Sequence, residues 1–426
     1  MMPRTSRSLG WVMLALVLGG GGGTVAWAQG GTGVECQLCH GDRDFMRAAS
    51  GQDTTPRLYV TDSLVRDTRH GRLACGSCHP QQAVGYPHGA GAKAVPCQTC
   101  HAQAGLDWAG SIHARNVADR GDAPTCVSCH GSHTVYGADD RRSPTYALNV
   151  ASLCGGCHAD PRIVGTYFMA PEEAQAREAV GQYYQTVHGA ALTRAGLVVS
   201  ATCNDCHGAH RVLPGEEARS SVNRQNIAAT CGVCHAGVLE VYQGSAHGAA
   251  LRERRMGAGG APAPVCTDCH TSHGIVRASD PRWFAGVVEE CGACHQRLYQ
   301  TYFDTYHGKA TKLGFGLTAK CSDCHTAHDV RPASDPQSSV YPLNLVATCA
   351  RCHPDANANF VQYYAHGDVR DRARYPVLFW VWALMTTLLA SVFLFFGLHT
   401  VLWVGRLAVN RVRSRPPAEP VHREGA

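Results

Sequence analysis

The sequence predicts a mostly helical and irregular fold with little β-strand, followed by one transmembrane helix at the C-terminal end. Three observations support this prediction. All 22 cysteines lie in C-x-x-C-H motifs spread through residues 36–353. Polar loops alternate with short runs that carry tyrosines at helical spacing, such as Tyr299, Tyr302 and Tyr306. Residues 377–404 contain no Asp, Glu, Lys or Arg, and a run of this length can span a bilayer.

The C-x-x-C-H motif is the signature of covalent haem c attachment. Cysteines at i and i+3 on one helical turn can each bond a haem vinyl group, and the histidine at i+4 lies on the same face, where it can ligate the iron. We therefore expect a haem-packed multihaem cytochrome domain whose cofactors are eleven covalently attached haems c. The motifs, numbered 1 to 11 in chain order, are Cys36, Cys39, His40; Cys75, Cys78, His79; Cys97, Cys100, His101; Cys126, Cys129, His130; Cys154, Cys157, His158; Cys203, Cys206, His207; Cys231, Cys234, His235; Cys266, Cys269, His270; Cys291, Cys294, His295; Cys321, Cys324, His325; and Cys349, Cys352, His353.

A single C-x-x-C pair could belong to a zinc ribbon or a redox dithiol. Neither chemistry requires a histidine directly after every second cysteine, so eleven such motifs argue against both. The motifs use every cysteine, which leaves none for a disulfide, a nucleophile or a separate metal site.

The histidines outside the motifs predict the second axial ligands. Of the 24 histidines, eleven lie in motifs, and His399 and His422 lie in or after the apolar C-terminal run. Eleven remain for eleven irons, which predicts bis-histidine coordination throughout. The alternative is that some of them are ordinary surface histidines. Methionine is a weak competitor, since the three in the body of the chain share no repeated context. The predicted distal ligands are His70, His88, His113, His133, His188, His210, His247, His273, His307, His328 and His366.

Residues 1–28 have the pattern of a secretory signal peptide, with Arg4 and Arg7, an apolar core and an Ala-Trp-Ala cleavage site at residues 26–28. The formal charge of +5 includes neither the haem propionates nor the irons, which would make the loaded protein acidic. No basic stripe interleaved with aromatic residues is present, and we expect no nucleic-acid partner.

The predicted domains are a trihaem segment at 29–118 and four dihaem repeat units at 119–370. Each repeat contains C-x-x-C-H-x-x-H, a polar loop, a second C-x-x-C-H and a helix ending in a histidine that precedes glycine. We expect that glycine to be the left-handed residue that ends the helix. We expect Asn149, Asn226 and Asn344, each five residues before a second motif, to cap the motif helix. The close histidine, three residues after the motif, should ligate a neighbouring iron.

Residues 371–405 are predicted to anchor the chain in the membrane, and 406–426 to form a cytoplasmic tail. Tryptophans lie near both ends of the apolar run, and five arginines follow it. An exported N-terminal domain places the haem domain in the periplasm and the anchor in the inner (cytoplasmic) membrane. His399 is an interfacial histidine or, alternatively, contacts a quinone or a partner subunit, since ionisable groups in spans are costly and often functional.

The doubled motifs over residues 36–366 resemble the multihaem cytochromes of the cytochrome c3 and c7 group. Residues 366–380, His-Gly-Asp-Val-Arg through Tyr-Pro-Val-Leu-Phe-Trp, are similar to the tail of membrane-anchored multihaem subunits that work beside a cytochrome b in quinone-linked complexes. This resemblance implies an electron carrier of anaerobic respiration between the quinone pool and periplasmic redox proteins, with an integral cytochrome b or quinone-reactive subunit as partner.

Two other classes remain open. A catalytic multihaem reductase of the nitrite, hydroxylamine or tetrathionate type needs an iron with an open position, which the balance of eleven motifs and eleven further histidines disfavours. A subunit of an extracellular filament is disfavoured by the membrane anchor. We therefore expect an electron-transfer protein, not an enzyme, with no catalytic residues.

Overall fold

The computed structural model describes residues 34–50, 58–83, 88, 94–120, 123–167, 172–256 and 260–414. The predicted signal peptide and the tail beyond residue 414 lie outside these ranges. The described chain is mostly helical, and its β-structure is one isolated antiparallel bridge between Met256 and Pro262. The predicted fold class, mostly α and irregular with little strand and a long apolar C-terminal helix, is confirmed.

The helices are short except for the last. In order they are α1 Val34–His40, α2 Arg43–Ser50, α3 Asp62–Arg66, α4 Cys75–Cys78, α5 Ala102–Ala109, α6 Ile112–Arg120, α7 Cys126–His130, α8 Ala147–His158, α9 Pro161–Tyr167, α10 Glu172–Tyr183, α11 Val187–Thr193, α12 Cys203–His207, α13 Ile227–Gly232, α14 Ala236–Gly244, α15 Ala246–Arg252, α16 Cys266–His270, α17 Pro281–Gly292, α18 Gln296–Asp304, α19 Tyr306–Lys312, α20 Cys321–His325, α21 Leu345–Ala350 and α22 Pro376–Arg413. Short 3-10 turns form at Cys97–Thr99 and Phe360–Gln362.

The first motif of each repeat is a five-residue helix of its own, and its ends have matching structures. In α12, α16 and α20 the aspartate between the two cysteines accepts the N–H of the residue before the first cysteine, at 2.6–2.7 Å. Immediately after the motif histidine the backbone turns through positive φ, at Gly131, Gly208, Thr271 and Thr326. This turn leads the close histidine away from its own motif.

The helices that carry the distal histidines begin with a Ser or Thr cap. Thr186, Ser245 and Thr305 each accept the N–H of the glycine three residues later, at 3.0–3.1 Å. The histidine therefore lies in the first turn of α11, α15 or α19. The prediction that it ends a helix is wrong.

The glycines after these histidines also have another role than predicted. Gly189, Gly248 and Gly308 lie inside helices, and a Cβ on each would overlap the carbonyl oxygen of a tyrosine six residues earlier. Close approach of two chain segments, and not left-handed backbone, requires glycine here.

The predicted asparagine caps are only partly right. Asn226 and Asn344 occupy the N-cap positions of α13 and α21, but neither side chain caps its helix. Each amide instead donates to two carbonyls of the preceding loop, at 2.8–2.9 Å. Asn149 lies inside α8. The asparagines thus fasten the loop to the motif helix.

Contacts divide the chain into two compact units, one of Met1–Leu106 with Pro124–Ser143 and one of Asp107–Ala123 with Pro144–Ala426. Motifs 1 to 4 fall in unit 1 and motifs 5 to 11 in unit 2. The predicted domain boundaries follow motif grouping and stay a prediction. Buried apolar clusters in the described residues are small: one surrounds Ala228, Leu251, Ala263 and Val265, and another joins Val287, Val288 and Tyr302.

The helix α22 is the one described helix that is long and apolar enough to cross a membrane, judged by length and composition. It begins with Pro376 in its first turn, a position that proline favours, and continues to Arg413. Its apolar side chains are exposed along most of the length, which is compatible with a lipid-facing helix.

Candidate functional site

The motif cysteines are held in short helical turns and are open to a bound group. All 22 lie in described residues, none forms a disulfide, and none is buried in protein. The i, i+3 spacing on one turn brings both thiols to the same side of the motif. This donor set suits a ligand attached through two thioether bonds.

The structure brings ten motif histidines close to ten of the predicted distal histidines, one to one. The ring centroids of every pair lie 5.9–6.3 Å apart. The pairs are His40–His88, His79–His133, His101–His70, His158–His113, His207–His273, His235–His188, His270–His328, His295–His247, His325–His366 and His353–His307. His130 and His210, the two remaining predicted ligands, also interact with neighbouring groups.

The spacing of these pairs fits two ligands of one metal ion. Metal–imidazole bonds are about 2.0 Å long, so two nitrogens facing across a metal lie about 4 Å apart and the ring centroids about 6 Å apart. Ordinary aromatic packing also covers centroid distances of about 4.5–7 Å, so distance alone does not decide. The identity of the paired histidines decides it, because every pair joins one motif histidine to one histidine outside the motifs.

Two imidazoles make hydrogen bonds that orient them as metal ligands. His40 donates from Nδ1 to the carbonyl of Leu58 at 2.7 Å, so Nε2 is the ring nitrogen available to a metal. Nδ1 of His366 lies 3.3 Å from Oγ1 of Thr301. Such second bonds fix the ring plane, and the carbonyl acceptor at His40 also requires that Nδ1 carries the proton.

Burial favours the neutral form of several of the paired imidazoles. Burial lowers the pKa of His158, His207 and His325, and nearby imidazoles lower the pKa of the last two further. The same direction holds for the distal His113, His273 and His366, with burial as the main cause. A neutral imidazole has a free lone pair for a metal.

The pairing follows a rule that exchanges histidines between repeats. The close histidine pairs with the motif two positions earlier, as His273 does with motif 6 and His328 with motif 8. The helical histidines point the other way: His188 pairs with motif 7 and His247 with motif 9. Each interior repeat therefore receives a histidine from both neighbours.

One backbone hydrogen bond recurs beside these histidines. The residue before each of His70, His113, His188 and His247 donates its N–H to the carbonyl of the second residue after a close histidine, at 2.8–2.9 Å. The four bonds run from Arg69 to Val135, Ile112 to Val212, Val187 to Ile275 and Ala246 to Val330. Each bond holds two distal histidines side by side. The two motifs with which these histidines pair are therefore also held close together.

Three tyrosines fasten the distal helices to the next motif. The hydroxyls of Tyr183, Tyr242 and Tyr302 each donate to the carbonyl two residues before a first motif cysteine, at 2.7–3.0 Å. Burial raises the pKa of Tyr183 and Tyr242 to about 12, so both remain protonated donors. We call these three the latch tyrosines.

Neighbouring motifs lie together in chain order. The first cysteines of motifs 5 and 6, 7 and 8, and 9 and 10 are hydrogen-bonded to each other, as are those of motifs 3 and 4. Thiols also interact electrostatically between motifs 2 and 3, 6 and 7, 8 and 9, and 10 and 11. His79 of motif 2 interacts with His40 of motif 1 and with His88, the histidine paired with His40. Unit 1 thus holds a run of four adjacent sites, and unit 2 a run of seven.

The sequence identified the candidate ligands, but not which histidines pair or which residues hold the ligand-bearing segments in place. The Ser/Thr caps and latch tyrosines were missed, although Ser/Thr-x-His recurs at residues 68–70, 111–113, 186–188, 245–247 and 305–307 and could have signalled the caps. The stacking of Trp283 on His270, with centroids 5.4 Å apart, was also missed. Among the described residues, no group of three or more His, Cys, Asp or Glu side chains is arranged to hold a metal ion.

A scan against protein-family models, a search of curated proteins and a search of solved structures each returned no match to this chain. The paired cysteines and the apolar C-terminal helix are compatible with a multihaem cytochrome, and the helix with membrane association. The assignment of the site rests on its own geometry.

Proposed function

We propose that this chain is a membrane-anchored c-type cytochrome with eleven haems, which conducts electrons between the quinone pool and periplasmic acceptors. An integral cytochrome b or another quinone-reactive subunit would be its membrane partner. The haem domain would lie in the periplasm, with α22 in the inner membrane and the tail in the cytoplasm.

The residues present fit haem c. The two motif cysteines would hold it by thioethers, the motif histidine would be one axial ligand, and the facing histidine would be the other. Bound haem would supply the one-electron iron couple, with bis-histidine ligation keeping the potential low relative to histidine–methionine ligation. The protein's part would be to orient the paired imidazoles, to supply both histidine ligands and to hold neighbouring sites close.

The observation that carries the proposal is the set of ten histidine pairs. Two imidazoles would hold the iron at each of these ten sites and leave no position for a substrate, which favours electron transfer over a reductase. The adjacency of successive motifs supports a relay, because electron-transfer rates fall steeply with the distance between centres.

The test is to produce the full chain in a host that attaches haem c and to purify it in detergent. We expect eleven covalent haems per chain by mass and pyridine haemochrome absorbance, and an oxidised electron paramagnetic resonance (EPR) spectrum dominated by low-spin iron. Far fewer haems, or zinc in their place, would refute the proposal. A predominantly high-spin spectrum with turnover of nitrite, hydroxylamine or tetrathionate would favour the reductase.

A further inference from the structure

Lys320 is a buried cation beside motif 10. Only 2% of its surface is exposed. Its Nζ donates to the carbonyls of Gly316 at 3.0 Å and Thr318 at 2.6 Å, and lies 4.8 Å from the centre of the Phe284 ring. Burying a charged ammonium is costly, and these partners offset only part of that cost.

Lys320 directly precedes Cys321, the first predicted anchor of motif 10. The corresponding residues before motifs 4, 6 and 8 are Thr125, Thr202 and Val265, so a basic residue at this position is specific to motif 10. Asp323 accepts the backbone N–H of Lys320, but Asp205 and Asp268 occupy the same place in their own motifs. The carboxylate is therefore shared, and the buried ammonium is the difference; the other cation at motif 10, Arg351, donates to the Asp323 carbonyl and is exposed.

Motif 8 has a nearby cation of another kind. Arg224 forms an ion pair with Asp268 at 2.6 Å, but its side chain is 35% exposed. Water and salt screen such a charge, whereas a charge with 2% exposure interacts with its surroundings through a medium of lower dielectric constant. The apolar cluster of Val287, Val288 and Tyr302, which packs against Cys321, adds to that dry surrounding.

We propose that Lys320 is a fixed positive charge that raises the reduction potential of the iron held by His325 and His366 above those at motifs 6 and 8. This inference rests on the proposed function. Reduction adds one electron to a site, and a buried cation nearby stabilises the reduced form.

Motif 10 lies close in the structure to the segment that leads into α22, which gives the raised reduction potential a role. His366 lies ten residues before the start of α22, and Thr301 contacts its ring. Arg297 binds Asp368 and Asp371, which fastens the intervening segment to α18. Motif 10 is therefore the site tied to the membrane helix, and Lys320 makes it the place where an electron exchanged with a membrane partner resides.

The experiment uses variants that each make one iron high-spin, so that its reduction potential can be measured separately. His366→Ala should make the motif 10 iron high-spin, and His328→Ala should do the same for motif 8. The potential at which each high-spin EPR signal disappears is then measured with and without Lys320→Met. We expect the equilibrium constant for reduction to fall about tenfold for the His366→Ala signal, which is about 59 mV for a one-electron couple. The His328→Ala signal should move less than a third as far.

The controls separate charge from structure. Lys320→Arg retains the charge and should keep the potential within a third of that shift, and Lys309→Met removes an exposed charge and should change neither signal. If a double variant fails to fold, redox titration of the Lys320→Met chain replaces it, and about one-eleventh of the absorbance change should move to lower potential. Equal shifts at both marked irons, or an unmoved curve, would overturn the inference. A chain without covalent haem would instead refute the proposed function.

Discussion

In the N-terminal segment, His70 and His113 each follow a Ser or Thr by two residues, as His188 and His247 do in the repeats. All four are preceded by a residue whose N–H binds a carbonyl two residues after a close histidine. The segments differ in their motifs: only the repeats carry C-x-x-C-H-x-x-H. What the two regions share is the turn that carries the distal histidine, and this comparison teaches that the turn recurs where the C-x-x-C-H-x-x-H form of the motif does not.

The largest expected effect comes from removing one close histidine from each compact unit. His273→Ala should leave all haems attached and make the iron at motif 6 high-spin, because the His273 ring faces His207. His133→Ala should do the same at motif 2 in unit 1. EPR of the oxidised protein measures both.

A second pair of changes identifies the iron. Removing Cys203 and Cys206 should abolish the high-spin signal of the His273→Ala chain, whereas removing Cys266 and Cys269 should leave it. The reverse result would show that the close histidine serves its own motif. Loss of a whole haem from His273→Ala alone would contradict the assignment of His273 as a distal ligand.

The glycine after the helical histidine is the next test. Gly248→Ala should lower the free energy of unfolding by about 1–3 kcal/mol, since the new Cβ overlaps the Tyr242 carbonyl. Gly71→Ala should behave alike, because its Cβ would overlap the Arg66 carbonyl. Ala114 already carries a Cβ at the matching position, so Ala114→Gly is the control and should cost at most about 1 kcal/mol. Denaturation followed by circular dichroism measures all three; equal costs would show that the close approach is unimportant.

The latch tyrosines distinguish the two regions, because the residues five before His70 and His113 are Val65 and Trp108. Tyr242→Phe should cost about 1 kcal/mol, the net contribution of one hydrogen bond. The pKa of Tyr242 is raised to about 12 against about 10 in the unfolded chain, so the tyrosine's contribution is complete below pH 10 and is lost as the pH rises towards 12. Stability measured from pH 8 to 12 should fall less steeply for Tyr242→Phe. An unchanged slope would show that Tyr242 is not a buried donor.

The sequence predicted the mostly helical fold, the position of the apolar helix and the candidate ligands, because each depends on local spacing. It could not predict that His188 faces His235 or that His273 faces His207. Those partners depend on which repeats lie together in space, and the histidines have nearly identical local sequences. The role of Gly248 was misjudged for a related reason: a glycine after a short run looks the same whether it is needed for left-handed backbone or for close approach. Burial of Lys320 depends on a loop without a recognisable pattern.

The smallest expected effect concerns the turn after the motif, which has positive φ in the first motif of each repeat. Gly131 and Gly208 adopt this conformation easily, whereas Thr326, with φ 65° and ψ 167°, lies in a region that is nearly restricted to glycine. Strain of this kind costs about 1–3 kcal/mol, and the entropy that a glycine loses on folding offsets about 0.5–1 kcal/mol of the relief. Thr326→Gly should therefore raise the denaturation midpoint slightly, and Gly208→Thr should lower it. If both changes lowered the midpoint, the Thr326 side chain would contribute more than its backbone strain costs, and the turns of the repeats would not be equivalent.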